Sequence, residues 1–269
     1  MKCSNNLKQI GIAFHNYSDA VGYLPYNGWR DNSVNNAVAN PTVKDSGCWA
    51  WQIMPYGEQD NLYRSWTFVN VPNSGNTYQV GRTEHLLPVQ LFICPSRDRG
   101  KGYKTLGAAP GPVTDYAINV RINNLNPMNA FGTNNTNTNV RNNKKGLLGI
   151  TDGTSNTIMV GEKALAIPGH DNDSGQDWAE CITRGWGGGT GRAGNHIETD
   201  DVAGQNSFYL VQDNLLNDPV HNGHFGGPHS GVTLFVFADG SVRSLRNSIS
   251  SSALCWTTGA NDGQIVSLD

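Results

Sequence analysis

Residues 224–245 read HFGGPHSGVTLFVFADGSVRSL. From Val232 to Ala238 every position but Thr233 is apolar, the pattern of a strand buried on both pleat faces. Asp239-Gly240 follows, a pair suited to the positive φ angles of a two-residue type I′ turn. Ser241 to Leu245 then supplies a return strand. Counting back from that turn pairs Ala238 with Ser241, Val236 with Arg243, and Leu234 with Leu245. The stretch therefore predicts a β-hairpin whose first strand is central in a sheet. His229 precedes Asp239 by ten positions, about 33 Å along an extended strand at roughly 3.3 Å per residue. One straight hairpin excludes a His–Asp dyad between them, and Asp239 is assigned to the turn.

Outward from the hairpin, strands and loops dominate. Val89–Ser96 (VQLFICPS), Thr114–Val120 (TDYAINV) and Thr157–Lys163 (TIMVGEK) read as strands, and QIVSL near the end as another. Near the start, Leu7, Ile10, Phe14 and Tyr17 recur at helical spacing over Asn5–Tyr17, an amphipathic helix stripe. Trp49–Tyr63 is apolar but broken by Pro55 and Gly57, which predicts a short helix or two. A further short helix is expected at Ser250–Trp256. Asn-rich stretches at 26–47 and 123–143, and Gly-rich sequence over 169–204, predict long irregular loops. One helix followed by scattered strands, without βαβ alternation, predicts an α+β fold with an antiparallel sheet. A single domain is expected over residues 1–269, with 1–22 forming helix and 23–269 the sheet and loops.

Composition narrows the function. The net charge is −3 and charged residues make up only 15% of 269, which argues against nucleic acid as a partner. Neutral Asn, Gly, Ser and Thr carry the polarity, in keeping with an extracellular, loop-rich protein. No apolar window approaches the eighteen or so residues of a membrane span, and no signal-peptide core is present. Met1 reads as an added start residue, and an upstream segment is expected to be missing. The five cysteines, Cys3, Cys48, Cys94, Cys181 and Cys255, lack the CxxC spacing of thiolate zinc sites. Buried thiols or one or two disulfides are the alternatives, and the odd count leaves at least one thiol unpaired.

Motifs for catalysis are absent: no GxSxG elbow, P-loop or GxGxxG opening a helix occurs. The chain is therefore read as a non-enzyme. His221, His224 and His229 lie within nine residues, but the intervening FGGP offers no known ligand frame, and surface histidines flanking a loop are the preferred reading. A metal-dependent hydrolase built on these three stands last among the functional hypotheses. Asp171, Asp173 and Asp177 surround Gly175 in HDNDSGQDW, an arrangement of hard oxygen donors suited to calcium, although no acid stands at the twelfth position. A solvated acidic loop competes with that reading. Glu162 closes an apolar strand and is weighed as a functional carboxylate against an ordinary strand-end acid. Trp49 and Trp51 are assigned to the core. Trp29, Trp178 and Trp186 flank polar loops and are candidates for stacking against sugar rings.

Five segments in this order, CSNNLKQIGIAFHNYSDAVGYLP, WQIMPYGEQDNLY, FICPS, TDGTSNTIMVGEK and HSGVTLFVFADGSVRSL, resemble the planctomycete pilin-like family of unknown function. The ending SALCWTTGANDGQIVSLD is similar too, so the resemblance spans nearly the whole chain. It implies a pilin- or pseudopilin-like fold, with Asn5–Tyr17 the lower part of a long helix whose prepilin-type segment is missing here. The family's His-x9-Asp-Gly signature falls on His229, Asp239 and Gly240, and its paired cysteines on Cys3 and Cys94, implying a disulfide. Cys181–Cys255 is a second, weaker pairing. Where the family commonly has an acid after CPS, this chain has Arg97, which puts a shared ligand at that loop in doubt.

The resemblance implies a structural subunit at the cell surface or in the periplasm, membrane-anchored when full length. Its expected partners are its own kind or other pilin-like subunits, joined through the N-terminal helix. Capture of extracellular material, as a solute- or polysaccharide-binding module, is the alternative. Calcium is the one cofactor considered.

Overall fold

The structure, a computed structural model, describes residues 2–27, 48–65, 88–97, 102–104, 111–123, 145–165, 182, 190–194, 208–213 and 224–266. In chain order the elements are α1 (Lys2–Val21), α2 (Trp49–Ile53), α3 (Asp60–Ser65), β1 (Tyr103–Lys104), β2 (Gly111–Pro112), β3 (Tyr116–Asn119) and α4 (Val120–Asn123). There follow β4 (Ile158–Glu162), β5 (Gly191–Arg192), β6 (Val211–Gln212), β7 (Gly226–Gly227), β8 (Val232–Phe237), β9 (Val242–Arg246) and α5 (Ser251–Thr258). Five strands form the main sheet in the order β5-β3-β4-β8-β9. All of its pairings are antiparallel except β3 with β5. The α+β expectation holds.

Alternation along the strands divides the core into two layers. Leu234, Val236 and Ala238 face α1, together with Tyr116 and Ile118 of β3. Phe235 and Phe237 point to the opposite face, where Leu254 of α5 covers them. On β4 the register slips between Ile158 and Val160. That irregularity turns both Met159 and Val160 toward the α1 layer and leaves Ile158 in the other. The strand of the opening stretch is thus buried on both sides at Phe235, Val236 and Phe237, while Val232 and Leu234 remain partly accessible.

The helix α1 buries Leu7, Ile10, Phe14 and Tyr17, the stripe read from the sequence, and extends beyond Asn5–Tyr17 at both ends. Its approach to the sheet is close. A Cβ added at Gly11 would stand 2.8 Å from Val236 Cγ2. Trp49 and Trp51 are core residues, as expected. Ser250 caps α5 by accepting a hydrogen bond from Ala253 N.

Three sequence expectations need correction. The hairpin pairs Val236 with Val242, Phe235 with Arg243 and Leu234 with Ser244, one residue away from the expected register. Gly240 N donates to Phe237 O, and Phe237 N to Ser241 O, closing a three-residue loop in which Gly240 alone has positive φ, +77°. A type I turn with a bulged glycine replaces the type I′ turn, because Asp239 keeps negative φ and uses its carboxylate to accept from Ser241 N at 2.8 Å. The shift sends Leu245 to the face of Phe235 rather than that of Leu234. Second, VQLFICPS is not a strand: Gln90–Phe92 forms a turn of 3₁₀-helix, and the chain then bends through Cys94-Pro95. Third, Gln264–Val266 at the chain's end form no strand; Asp152 instead holds the tail by accepting from Asp262 N and Gly263 N.

Candidate functional site

The N-terminal turn of α1, the bend at Cys94, the end of β4 and the loop before β8 converge at one end of the sheet. Cys3 and Cys94 form a disulfide there, the pairing that the resemblance implied. Asn6, one turn along α1, donates to Ile93 O at 2.8 Å and so holds the bend against the helix. Asp115, fully buried ahead of β3, accepts from Cys94 N at 2.7 Å.

Beside the disulfide lies a buried carboxyl. Glu162 has no exposed surface; its Oε2 accepts from Leu234 N at 3.0 Å, and its Oε1 lies 3.0 Å from His229 Nε2. Cys94 Sγ stands 3.4 Å from that same Oε1 and 3.9 Å from His229 Nε2. The ligand atoms of Cys3, Cys94, Glu162 and His229 all lie within 4.8 Å of one another. Donating a hydrogen bond to Glu162 raises the pKa of His229 above its usual value, against the lowering effect of burial. Burial first, then Glu162, likewise raises the Tyr116 hydroxyl, whose oxygen lies 3.5 Å from the Cys3 carbonyl. Gly227 makes room: a Cβ there would come within 2.8 Å of Glu162 Oε2.

Arg97 completes the cluster. Its side chain is buried, and its Nε donates to Asp213 at 2.7 Å while Nη1 donates to Asp115 O at 3.0 Å and pairs with Asp115 Oδ1 at 3.3 Å. It also donates to the carbonyl of Lys163. Burial opposes the guanidinium charge, but Asp213 and Asp115 outweigh it and raise the pKa. Arg97 is therefore a buried ion-pair centre joining three segments.

The histidines separate. His224 is not a surface residue: it is fully buried, its ring stacks on Tyr209 at 4.0 Å, and its carbonyl accepts from Arg192 Nε. The glycines of FGGP make it so, since Gly226 and Gly227 pair as β7 with β6. His229 turns instead to Glu162. His221, Asp171, Asp173, Asp177, Trp29, Trp178, Trp186 and Cys181 lie outside the described residues. Cys255 carries a free thiol, and Cys181, its expected partner, lies outside the described residues.

His229 and the Asp239-Gly240 pair flank β8 at opposite ends, and both ends engage α1. Gly240 O accepts from Lys8 Nζ at 2.8 Å, while the His229 end abuts the disulfide of Cys3. The TDGTSN segment braces the hairpin tip, with Thr154 O and Thr157 O accepting from Asp239 N and Ala238 N.

A second feature lies at the other end of α1. A cleft of about 540 Å³ is lined by Tyr17, Tyr23, Tyr56 and Tyr63, together with Gln52, Asp60 and Arg64. Tyr17 meets Tyr23 and Tyr56 edge-on at 6.0 and 5.5 Å. Arg64 is engaged by Asp60 at 2.6 Å. Burial, helped by Tyr56 and Asp60, raises the pKa of Tyr63. The sequence pattern points to tryptophans for such a surface. The tyrosines of HNYSDAVGYLP and MPYGEQDNLY carry no spacing that brings the two segments together.

These features define an α+β domain whose N-terminal helix is clasped to a sheet by a disulfide set against a buried acid–histidine pair. Among the described residues no helix is long and apolar enough to cross a membrane. A family model described as "Protein of unknown function (DUF1559)" matches residues 1–252, and the chain belongs to that family. No curated protein and no solved structure matches it.

Proposed function

We propose that the chain is the globular part of a pilin- or pseudopilin-like subunit at the cell surface or in the periplasm. The supporting observation is α1: twenty residues long, its apolar stripe lies buried on the sheet and its first turn is clasped by Cys3–Cys94. In this reading an apolar continuation upstream of α1 anchors the subunit and joins it to like subunits, and the domain performs no catalytic step. Sedimentation velocity tests it. The chain by itself should run as a monomer, and fusion of an apolar prepilin-type helix ahead of Lys2 should move it to the membrane and yield crosslinked multimers. Filaments formed by the chain without such a helix would overturn helix-driven assembly.

The tyrosine cleft supports a second role, capture of extracellular polysaccharide. Its volume falls in the range of small-ligand sites, and tyrosine rings beside the Asp60–Arg64 pair suit a sugar ring. A thermal-shift titration with neutral and acidic oligosaccharides should raise the melting temperature of the native chain and fail to do so in Tyr56→Ala. A flat response in both proteins sinks the idea. The same titration with calcium and EDTA, repeated in Asp173→Ala, tests the acidic loop as a calcium site.

A further inference from the structure

We propose that Cys3, Cys94, His229 and Glu162 form a binding site for a zinc-class divalent cation once the Cys3–Cys94 disulfide is reduced. The two states exclude each other. As a disulfide, the sulfurs have no thiolate to offer; as thiols, they join an imidazole nitrogen and a carboxylate oxygen already within 4.8 Å. Two sulfurs, one nitrogen and one oxygen form a donor set that Zn²⁺ takes tetrahedrally.

The surroundings fit a metal better than they fit a disulfide alone. A disulfide needs neither a carboxylate nor an imidazole beside it, and burying Glu162 completely costs solvation. Oε1 and Nε2 both face Cys94 Sγ, at 3.4 and 3.9 Å. Supporting hydrogen bonds hold the donors in place: Leu234 N on Glu162 Oε2, and Asp115 on the backbone of Cys94. Two thiolates, one carboxylate and a dication sum to one negative charge. Arg97 is electrostatically coupled to both Glu162 and His229, although Asp213 and Asp115 already answer its charge. His229, with 24% of its side chain exposed, provides the approach from solvent.

The reductive step needs a two-electron donor, a dithiol or a tertiary phosphine. A phosphine attacks one sulfur, the S–S bond breaks, and water converts the phosphonium to phosphine oxide, leaving two thiols. Binding of the cation then releases their two protons.

The test uses the full chain, oxidised or reduced with a tertiary phosphine under anaerobic conditions, titrated with Co²⁺ and then displaced by Zn²⁺. The reduced chain should take up one equivalent and develop thiolate-to-cobalt charge-transfer and tetrahedral d–d bands, while the oxidised chain develops neither. Cys94→Ser and His229→Ala should each lose the bands, Cys255→Ser should keep them, and Glu162→Gln should weaken binding about tenfold or more. Far-UV circular dichroism follows the fold throughout. Equal cobalt spectra in both redox states overturn the proposal, as do bands that survive Cys94→Ser. So does a reduced chain that unfolds and is not restored by zinc.

Discussion

Glu162 Oε1 and His229 Nε2 stand 3.0 Å apart, the carboxyl wholly buried and the imidazole partly open to solvent. They come from the end of β4 and the loop before β8, and the contact raises the pKa of His229. The unfolded chain titrates near 6.5. A raised folded value means that the charged pair stabilises fully below about 6.5, and that this stability fades as pH rises through the folded pKa. In oxidised protein with chelator present, the melting-temperature gap between wild type and His229→Gln should therefore be widest near pH 5.5 and narrow toward about pH 8.5. An NMR titration of the His229 ring should give a midpoint above the ordinary value, falling in Glu162→Gln. A wild-type midpoint at or below the ordinary one refutes the pairing.

The disulfide links positions 91 residues apart. By loop-closure entropy, a link of that span stabilises by about 4.6 kcal/mol. Cys3→Ser/Cys94→Ser should lower the urea midpoint of the metal-free chain accordingly. An unchanged midpoint would mean that α1 docks by its apolar stripe alone.

Arg97 holds Asp213, Asp115 and the Lys163 carbonyl from a site without solvent. Removing one partner strands buried carboxylates, so Arg97→Met should cost about 3–5 kcal/mol. Arg97→Met/Asp213→Leu should recover part of that loss, because the orphaned charge goes too. Chemical denaturation of the two variants checks this, and equal losses would contradict it.

The reach of the sequence follows the range of the forces involved. Local periodicity revealed α1, β3, β4 and the two strands of the hairpin, since each buries a face of its own. The turn register escaped because Asp239-Gly240 serves two loop geometries, and the choice rests on Asp239's own hydrogen bond to Ser241 N. VQLFICPS misled because apolar runs of that length fit a buried 3₁₀ turn as well as a strand. Glu162 and His229 were both in view, yet their meeting depends on the β4–β8 pairing, a contact 67 positions long. Arg97 read as a departure from a pattern; its partners at 115 and 213 carry no sequence mark at all. His224 reads as a surface residue for a related reason, since Gly226 and Gly227 read as loop and instead pair as a strand.

Gly161 and Phe235 face one another across β4 and β8. A Cβ placed on Gly161 would lie 2.4 Å from Phe235 Cδ1 and 2.5 Å from Cε1, with Phe225 Cδ1 at 3.0 Å. Phe225 and Phe235 meet edge-on at 5.4 Å, so neither ring retreats without disturbing the other. Gly161→Ala should therefore destabilise the domain by about 1–3 kcal/mol through overpacking, despite alanine's better intrinsic fit to a strand. Phe235→Leu by itself should also cost stability, by opening space beneath α5. Together the two substitutions should cost less than the sum of the separate losses, because the smaller side chain at 235 vacates the volume that the new methyl needs. Denaturation of the four proteins of that cycle decides the matter. Strict additivity would show that the glycine is tolerated for its backbone and not for the ring that lies over it.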